Sequence, residues 1–221
     1  NSRNVKLKCL SVHIGSQILS NVPYQKMIRV VNSFIEKVSV NFEYVDFGGG
    51  MGIDYTSNKK TFDFKKLALE INKFSKRNEC KIILEPGRSI IGDTAVLISK
   101  VIYIKENLNK DFIILDAGMN DLIRPALYNA KHMIIPANKL SKKSKKEYDF
   151  VGPICETSDR FLKIKKFQKL NEGDIVILKD VGAYGFVLSS NYNVRPMPKE
   201  VLVDKSKTQI ISKRQSIKDL I

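Results

Sequence analysis

Apolar positions recur along this chain with two different periods, and the change from one to the other falls near Gly92. Before it, short apolar runs alternate with segments of helical spacing. "VKLKCLSVHIG" (5–15) is an apolar run ending in Gly15. Met27, Val30, Val31, Phe34, Ile35 and Val38 then recur every three or four residues, which predicts a helix over 23–39 with one apolar face. "FEYVDFGGG" (42–50) reads as a second strand, halted by three glycines, and Leu67, Ile71 and Phe74 mark a second helix. "CKIILEPGR" (80–88) is a third strand, stopped by Pro86 and Gly87. Strand, helix, strand, helix, strand is the pattern of a parallel sheet. Each strand ends in a polar or glycine cluster, His13 to Gln17, Asp46 to Gly50 and Glu85 to Arg88, at the edge where α/β folds place their chemistry.

Beyond Gly92 the helical period fades. "TAVLISKVIYI", "DFIILDAG", "YDFVGPIC" and "GDIVILKDVG" read as short strands between turns, which predicts an all-β region, a barrel or a sandwich. The expected division is therefore 1–92 for an α/β part and 93–221 for a β domain. A complete eight-unit α/β barrel needs roughly 200 residues or more. The first part here supplies three strands, so the earlier part of such a barrel is expected to be missing and the chain to be truncated.

Composition narrows the class. Hydrophobic residues make up 43% and charged residues 28% of the 221, the balance of an ordinary globular protein. No apolar window of about 18 residues occurs, so no membrane partner is expected. Three cysteines at irregular spacing argue for a reducing compartment, and the expected location is cytoplasmic. The formal net charge of +15 raises the question of nucleic acid. The lysines are scattered, however, and the one dense run, "NKLSKKSKKEYD" (138–149), has few interleaved aromatics and reads as a solvated connection. No nucleic-acid partner is expected.

Several residues could carry chemistry, and each has an ordinary reading beside it. Gly48, Gly49 and Gly50 offer consecutive backbone N–H groups that suit a phosphate, or simply a tight turn. Glu85 is a candidate site carboxylate or a cap, and Arg88 a site guanidinium or a surface ion pair. His13 at a strand end is as readily structural. With His13 and His132 the only histidines and no cysteine pair at metal spacing, no metal site is expected. Arg124 and Tyr128 stand four apart and would share a face if their segment turns helically, although Arg124 before Pro125 could merely brace a loop. Tyr184 sits in "GAYG", projecting from a bare backbone or covering the core edge. Cys155 follows a Gly-Pro turn and precedes Glu156; taken alone it reads as a buried thiol.

Taken in order, "HIGSQ", "DFGGGMGIDY", "EPGR", "GPICETSD" and "GAYGFVLSSNYNVRPMPKEVLV" closely resemble the diaminopimelate decarboxylase family, fold-type III enzymes that use pyridoxal 5'-phosphate. The resemblance runs from about residue 9 to the last residues. It implies the C-terminal part of a cofactor-binding (β/α)8 TIM barrel followed by a β-barrel or sandwich domain, as in alanine racemase-like proteins. The activity it implies is decarboxylation of meso-2,6-diaminopimelate to L-lysine and CO2. His13 would stack on the pyridine ring, and Ser16, Gly48, Gly49, Gly50, Gly87 and Arg88 would hold the phosphate, with Pro86 in the same turn. Glu85 would face the ring nitrogen and keep it protonated. Tyr184 would reach the phosphate and border the substrate. Arg88, Arg124 and Tyr128 would bind substrate carboxylate, and Glu156 the far ammonium. Cys155 would be the proton donor, catalytic as a protonated thiol rather than as a nucleophile. The family pairs as a homodimer with shared active sites, Cys155 and Glu156 reaching into the partner's.

Within the superfamily, ornithine- or arginine-type decarboxylases share the glycine and "EPGR" turns. Arg124 in "LIRPALY" and glutamate rather than aspartate after the cysteine favour diaminopimelate. The Schiff-base lysine belongs to a stretch resembling "YAxKAN" in this family. That stretch does not occur here, so this chain alone is expected to be inactive. A non-catalytic homologue that regulates a true enzyme is the reading from another class.

Overall fold

The computed structural model describes residues 4–38, 40–56, 61–138 and 143–221. The chain separates into two compact units, Asn1–Gly92 and Asp93–Ile221.

The first unit holds three short strands, β1 (Cys9–Ser11), β2 (Tyr44–Asp46) and β3 (Lys81–Ile83), with helices α1 (Val22–Lys37) and α2 (Phe64–Asn78) between them. The strands pair parallel in the order β1-β2-β3, with Ser11 opposite Asp46 and Asp46 opposite Ile83. Parallel pairing by way of helices puts all three carboxyl ends on one edge. Pro23 opens α1, where a missing N–H costs nothing. Asp63 caps α2 by accepting from the Lys66 N–H at 2.9 Å, and Lys76 and Arg77 complement the dipole at its far end. The α2 face expected from Leu67, Ile71 and Phe74 is the buried one. They pack with Tyr24, Met27, Val31, Val45 and Phe47 in the core of this unit, a fully buried apolar side chain contributing about 1.5–3 kcal/mol.

The expected α1 face needs correction. Tyr24, Met27, Ile28 and Val31 are buried, whereas Val30 and Phe34 are exposed. The buried stripe is rotated about the helix axis toward Tyr24 and Ile28, away from Val30 and Phe34. The predicted helix end at residue 39 lies outside the described residues.

The second unit is built on a six-stranded sheet of order β6-β9-β4-β5-β7-β8, comprising β4 (Leu97–Lys105), β5 (Lys110–Leu115), β6 (Ile134–Pro136), β7 (Glu147–Val151), β8 (Arg160–Ile164) and β9 (Ile175–Leu178). Strands β10 (Glu200–Asp204) and β11 (Lys207–Ser212) form a separate antiparallel ribbon. Two further short helices are α3 (Arg88–Ile91) in the first unit and α4 (Arg124–Tyr128) in the second. One pairing in the large sheet is parallel, β5 with β7; the others are antiparallel. Val101, Ile113, Leu115, Phe150, Val176 and Leu178, each 0% exposed, form its core. Asp149 of β7 is buried among these strands, paired with Lys110 of β5 at 3.1 Å and with Arg160 of β8 at 3.0 Å. Strands β6, β8, β10 and β11 had not been expected from the pattern. Of the lysine-rich connection 138–149, residues 139–142 lie outside the described residues. No helix among the described residues is long and apolar enough to cross a membrane.

Candidate functional site

In the first unit the three strand-end clusters meet backbone to backbone. Asp46, the last residue of β2, is buried and accepts from the Gly48 N–H at 2.8 Å and from the Ser11 hydroxyl at 3.1 Å. The Glu85 N–H donates to the Gly48 carbonyl at 2.9 Å, joining the "EPGR" turn to the glycine turn. The Ile18 N–H donates to the Gly50 carbonyl at 2.9 Å and joins the third turn. The glycines are needed for closeness. A Cβ on Gly49 would lie 2.1 Å from the Glu85 carbonyl oxygen, and one on Gly50 would lie 2.1 Å from that of Gly15. Gly50 also has φ +96°, a conformation that side chains resist.

Side chains then furnish the edge. A Cβ on Gly48 would come 2.7 Å from His13 Nδ1, so the bare glycine leaves space for the imidazole. Arg88 donates from Nη1 to the Tyr55 hydroxyl at 2.7 Å and from Nη2 to Ser16 Oγ at 3.3 Å. Its guanidinium lies 5.8 Å from the Tyr55 ring centre. His13, Ser16, Glu85 and Gly87 are exposed here, with Pro86 half-buried. The structure thus assembles His13, Ser16, Gly48, Gly49, Gly50, Glu85, Pro86, Gly87 and Arg88 on one sheet edge. Two supports were missed by the sequence reading. Tyr24 of α1, wholly buried, donates to the Gly49 carbonyl at 2.6 Å, and burial pushes its hydroxyl pKa up, keeping it a donor. Tyr55 holds Arg88 in place.

A guanidinium, a hydroxyl and a bare glycine backbone on one edge fit a phosphate, and an exposed carboxylate and imidazole beside them fit a protonated heteroaromatic ring. These residues fit the cofactor that the resemblance implies.

In the second unit three loops are clasped together. The loops leaving β5 and β7 emerge side by side because those strands are parallel neighbours. Asp159, 3% exposed, joins them: one carboxylate oxygen accepts from the Met119 N–H and the other from the Ile154 N–H, both at 2.7 Å. Burial pushes its pKa up, against the pull of those two N–H groups and the Arg195 charge. Gly152 makes room, since a Cβ there would lie 2.3 Å from Asp159 Oδ2. The third loop is tied to the first by Asn120 and Arg195. The Ser190 N–H donates to the Asn120 carbonyl at 2.9 Å, and Arg195 donates from Nε to Asn120 Oδ1 at 3.1 Å and from Nη2 to the Asp116 carbonyl at 2.5 Å.

Within the β7 loop Cys155 and Glu156 are both exposed. The Glu156 N–H donates to the Ile154 carbonyl at 2.8 Å, and its own carbonyl accepts from the Asp159 N–H at 3.1 Å. The thiol expected to be buried on its own merits is instead presented to solvent by a pinned turn; buried Cys80 is the core thiol, its pKa raised by burial. The Tyr192 hydroxyl, from the third loop, donates to Glu156 Oε1 at 2.5 Å.

Arg124 and Tyr128 stand one helical turn apart, as the spacing predicts, but their side chains differ in burial. Their segment turns helically as α4, in which Arg124 is 5% exposed and Tyr128 is 64% exposed. Arg124 is drawn inward by His132, to whose Nε2 it donates from Nη1 at 2.8 Å. His132 is 1% exposed, and its Nδ1 lies 2.9 Å from the Lys179 carbonyl. A carbonyl only accepts, so the ring proton is on Nδ1 and Nε2 is the acceptor for Arg124. Replacing His132 with leucine would leave the guanidinium short of a buried partner. A loss of about 1–3 kcal/mol in urea unfolding is expected, with glutamine, which can also accept, recovering part of it. Tyr184 has φ +58° and is 44% exposed, projecting from the turn after β9.

A parallel edge of apposed glycine, "EPGR" and histidine turns, followed by a mixed-sheet domain, defines a fold of the barrel-plus-sheet class. The chain belongs to the pyridoxal-dependent decarboxylases: residues 19–182 match the model for the family's C-terminal sheet domain. Its fold is the C-terminal portion of a fold-type III enzyme, part of the barrel and then the sheet domain. It is similar to the diaminopimelate decarboxylase of Aquifex aeolicus, 42% identical over 216 residues, which are 96% of this chain and 51% of that relative. The crystal structure of diaminopimelate decarboxylase from Helicobacter pylori complexed with L-lysine matches with a TM-score of 0.84 at 38% identity, over 97% of this chain and 54% of that one. The enzyme from M. jannaschii in co-complex with L-lysine matches with a TM-score of 0.87 at 35% identity, over 95% and 50%. The chain spans about half the length of the curated relatives it matches.

Proposed function

We propose that the full-length protein decarboxylates meso-2,6-diaminopimelate to L-lysine and CO2 in the cytoplasm, as a homodimer with shared active sites. The observation that supports this most is the single edge in the first unit where His13, Ser16, Gly50, Glu85 and Arg88 meet, in a chain so similar to named diaminopimelate decarboxylases. Gly48, Gly49, Gly50, Ser16, Gly87 and Arg88 hold the cofactor phosphate, with Tyr184 reaching it as well. His13 lies against the ring, and Glu85 keeps the ring nitrogen protonated. When bound, pyridoxal phosphate accepts into its ring the electron pair left on carbon as CO2 departs. Cys155 supplies the proton that this carbon then takes up. Its role is that of a proton donor, not of a nucleophile. Arg88 and Tyr128 bind substrate carboxylate and Tyr184 borders the substrate, whereas Arg124, which the resemblance assigns to the same carboxylate, has its guanidinium held inside by His132. Glu156 takes the ammonium of the far amino-acid head, which also remains in the product.

The test is incubation of the full-length protein, loaded with cofactor, with meso-diaminopimelate, ornithine and arginine in parallel. Lysine and CO2 from diaminopimelate alone are expected; consumption of ornithine without lysine formation would overturn the reading. Glu156→Gln removes the charge but keeps the size. It is expected to raise KM for diaminopimelate by about 10- to 100-fold, the scale of one charge-assisted hydrogen bond, while cofactor absorbance stays unchanged.

A further inference from the structure

We infer that Tyr192 is a positioning residue that sets substrate specificity by orienting the Glu156 carboxylate toward the far ammonium, an assignment that rests on the role proposed above for Glu156. The two residues are 36 apart in the chain and come from different loops, yet their side chains meet at 2.5 Å. Each loop is pinned independently of that meeting. Glu156 is held at its backbone by the Ile154 carbonyl and the Asp159 N–H. The Tyr192 loop is held by the Ser190 N–H on Asn120, by Asn191 Nδ2 on the Arg195 carbonyl at 2.9 Å, and by Asn191 Nδ2 on Gln215 Oε1 at 2.6 Å. The two side chains therefore arrive already placed, with little left to order on binding.

The chemistry of the donor matters. A carboxylate has two oxygens and about four acceptor positions. The tyrosine hydroxyl uses one on Oε1 and leaves Oε2 for a ligand. A lysine or arginine at position 192 would orient the carboxylate too, but it would neutralise it and repel an incoming ammonium. A neutral phenol orients without doing either. Glu156, hydrogen-bonded to it and close in charge, raises the Tyr192 pKa, so the hydroxyl remains a donor across the neutral range. An exposed glutamate would otherwise sample several rotamers, only some of which meet the ammonium.

The experiment compares the full-length holoenzyme with Tyr192→Phe, Glu156→Gln and the double variant. It measures the L-lysine Kd by titration calorimetry and KM and kcat with meso-diaminopimelate, with Tm and cofactor absorbance confirming that each variant is intact. Tyr192→Phe is expected to weaken lysine binding and raise KM by about 5- to 20-fold with kcat within about twofold, less than loss of the charged contact itself because the tyrosine acts only through it. The double variant is expected to bind lysine no more weakly than Glu156→Gln alone, because the tyrosine acts only through the carboxylate. If Glu156→Gln weakens lysine binding while Tyr192→Phe leaves it unchanged, or if the two effects add in full, the inference falls and the role of Glu156 stands. If Glu156→Gln leaves lysine binding unchanged, the role of Glu156 falls and the inference with it.

Discussion

Gly50→Ala is expected to abolish cofactor binding and to destabilise the first unit by roughly 2–6 kcal/mol. Two separate costs meet at this position. The backbone holds φ +96°, where a side chain brings about 1–3 kcal/mol of strain. The added Cβ would also lie 2.1 Å from the Gly15 carbonyl oxygen, a backbone atom that cannot step aside as a flexible side chain can. Overpacking of that kind costs about 1–3 kcal/mol. Relief requires separating the "HIGS" turn from the glycine turn, and the edge presenting Ser16 and Arg88 opens with it. Gly173→Ala supplies the comparison: its φ is +90°, but nothing lies within 4 Å of the built Cβ. It should show the conformational cost alone, about 1–3 kcal/mol, with cofactor binding intact. Urea unfolding of both variants, with cofactor absorbance as the second readout, checks the pair. Equal losses in the two would show that the apposition of the turns contributes nothing.

Asp159→Ala should be the most damaging change in the second unit. The carboxylate accepts from the Met119 and Ile154 N–H groups with one oxygen each, and both bonds are 2.7 Å long. Deleting it leaves two donors without their acceptor, at about 1–3 kcal/mol apiece, hence roughly 2–6 kcal/mol in all. Asp159→Asn should recover little. An amide has only one acceptor oxygen, so its NH2 must face one of the two N–H groups, donor against donor. The loop bearing Cys155 and Glu156 then loses its anchor to the β5 loop, while the residues of the first-unit edge are untouched. In the full-length protein the expected signature is a faster reaction of Cys155 with an aromatic disulfide reagent and a fall in lysine formation of about 100-fold or more, with cofactor absorbance retained. Loss of cofactor in step with activity would place the role of Asp159 elsewhere.

Much of the architecture follows from local pattern. The three strand-ending clusters of the first unit could be read from where apolar runs stop at glycine or proline, because turn chemistry is local. Once the strands pair in parallel, sharing an edge is a geometric consequence. The α2 stripe was legible for the same reason: Leu67, Ile71 and Phe74 carry no polar group to confuse the period. The α1 stripe was misplaced because α1 carries apolar residues on more than one face, Ile28 buried and Val30 and Phe34 exposed, and only the bond of Tyr24 to the Gly49 carbonyl shows why a tyrosine is wholly buried there. Short strands such as β6, with three residues, carry too little pattern to be seen alone.

What the sequence determined by itself was the strand–helix alternation of the first unit, the change of character near Gly92, and the ordered motifs that carry the family resemblance. Tertiary structure decided the rest. Met119 and Asp159 are 40 residues apart, Asn120 and Arg195 are 75 apart, and Glu156 and Tyr192 are 36 apart. No periodicity relates such positions; parallel β5 and β7 bring the first pair's loops side by side, and the loop after β9 is tied to them by its bonds to Asn120 and Asp116. Arg124 illustrates the same point. Helical spacing puts it one turn from Tyr128, but only the fold shows that a buried histidine eight residues on holds its guanidinium inside, because a buried charge goes where its hydrogen bonds are.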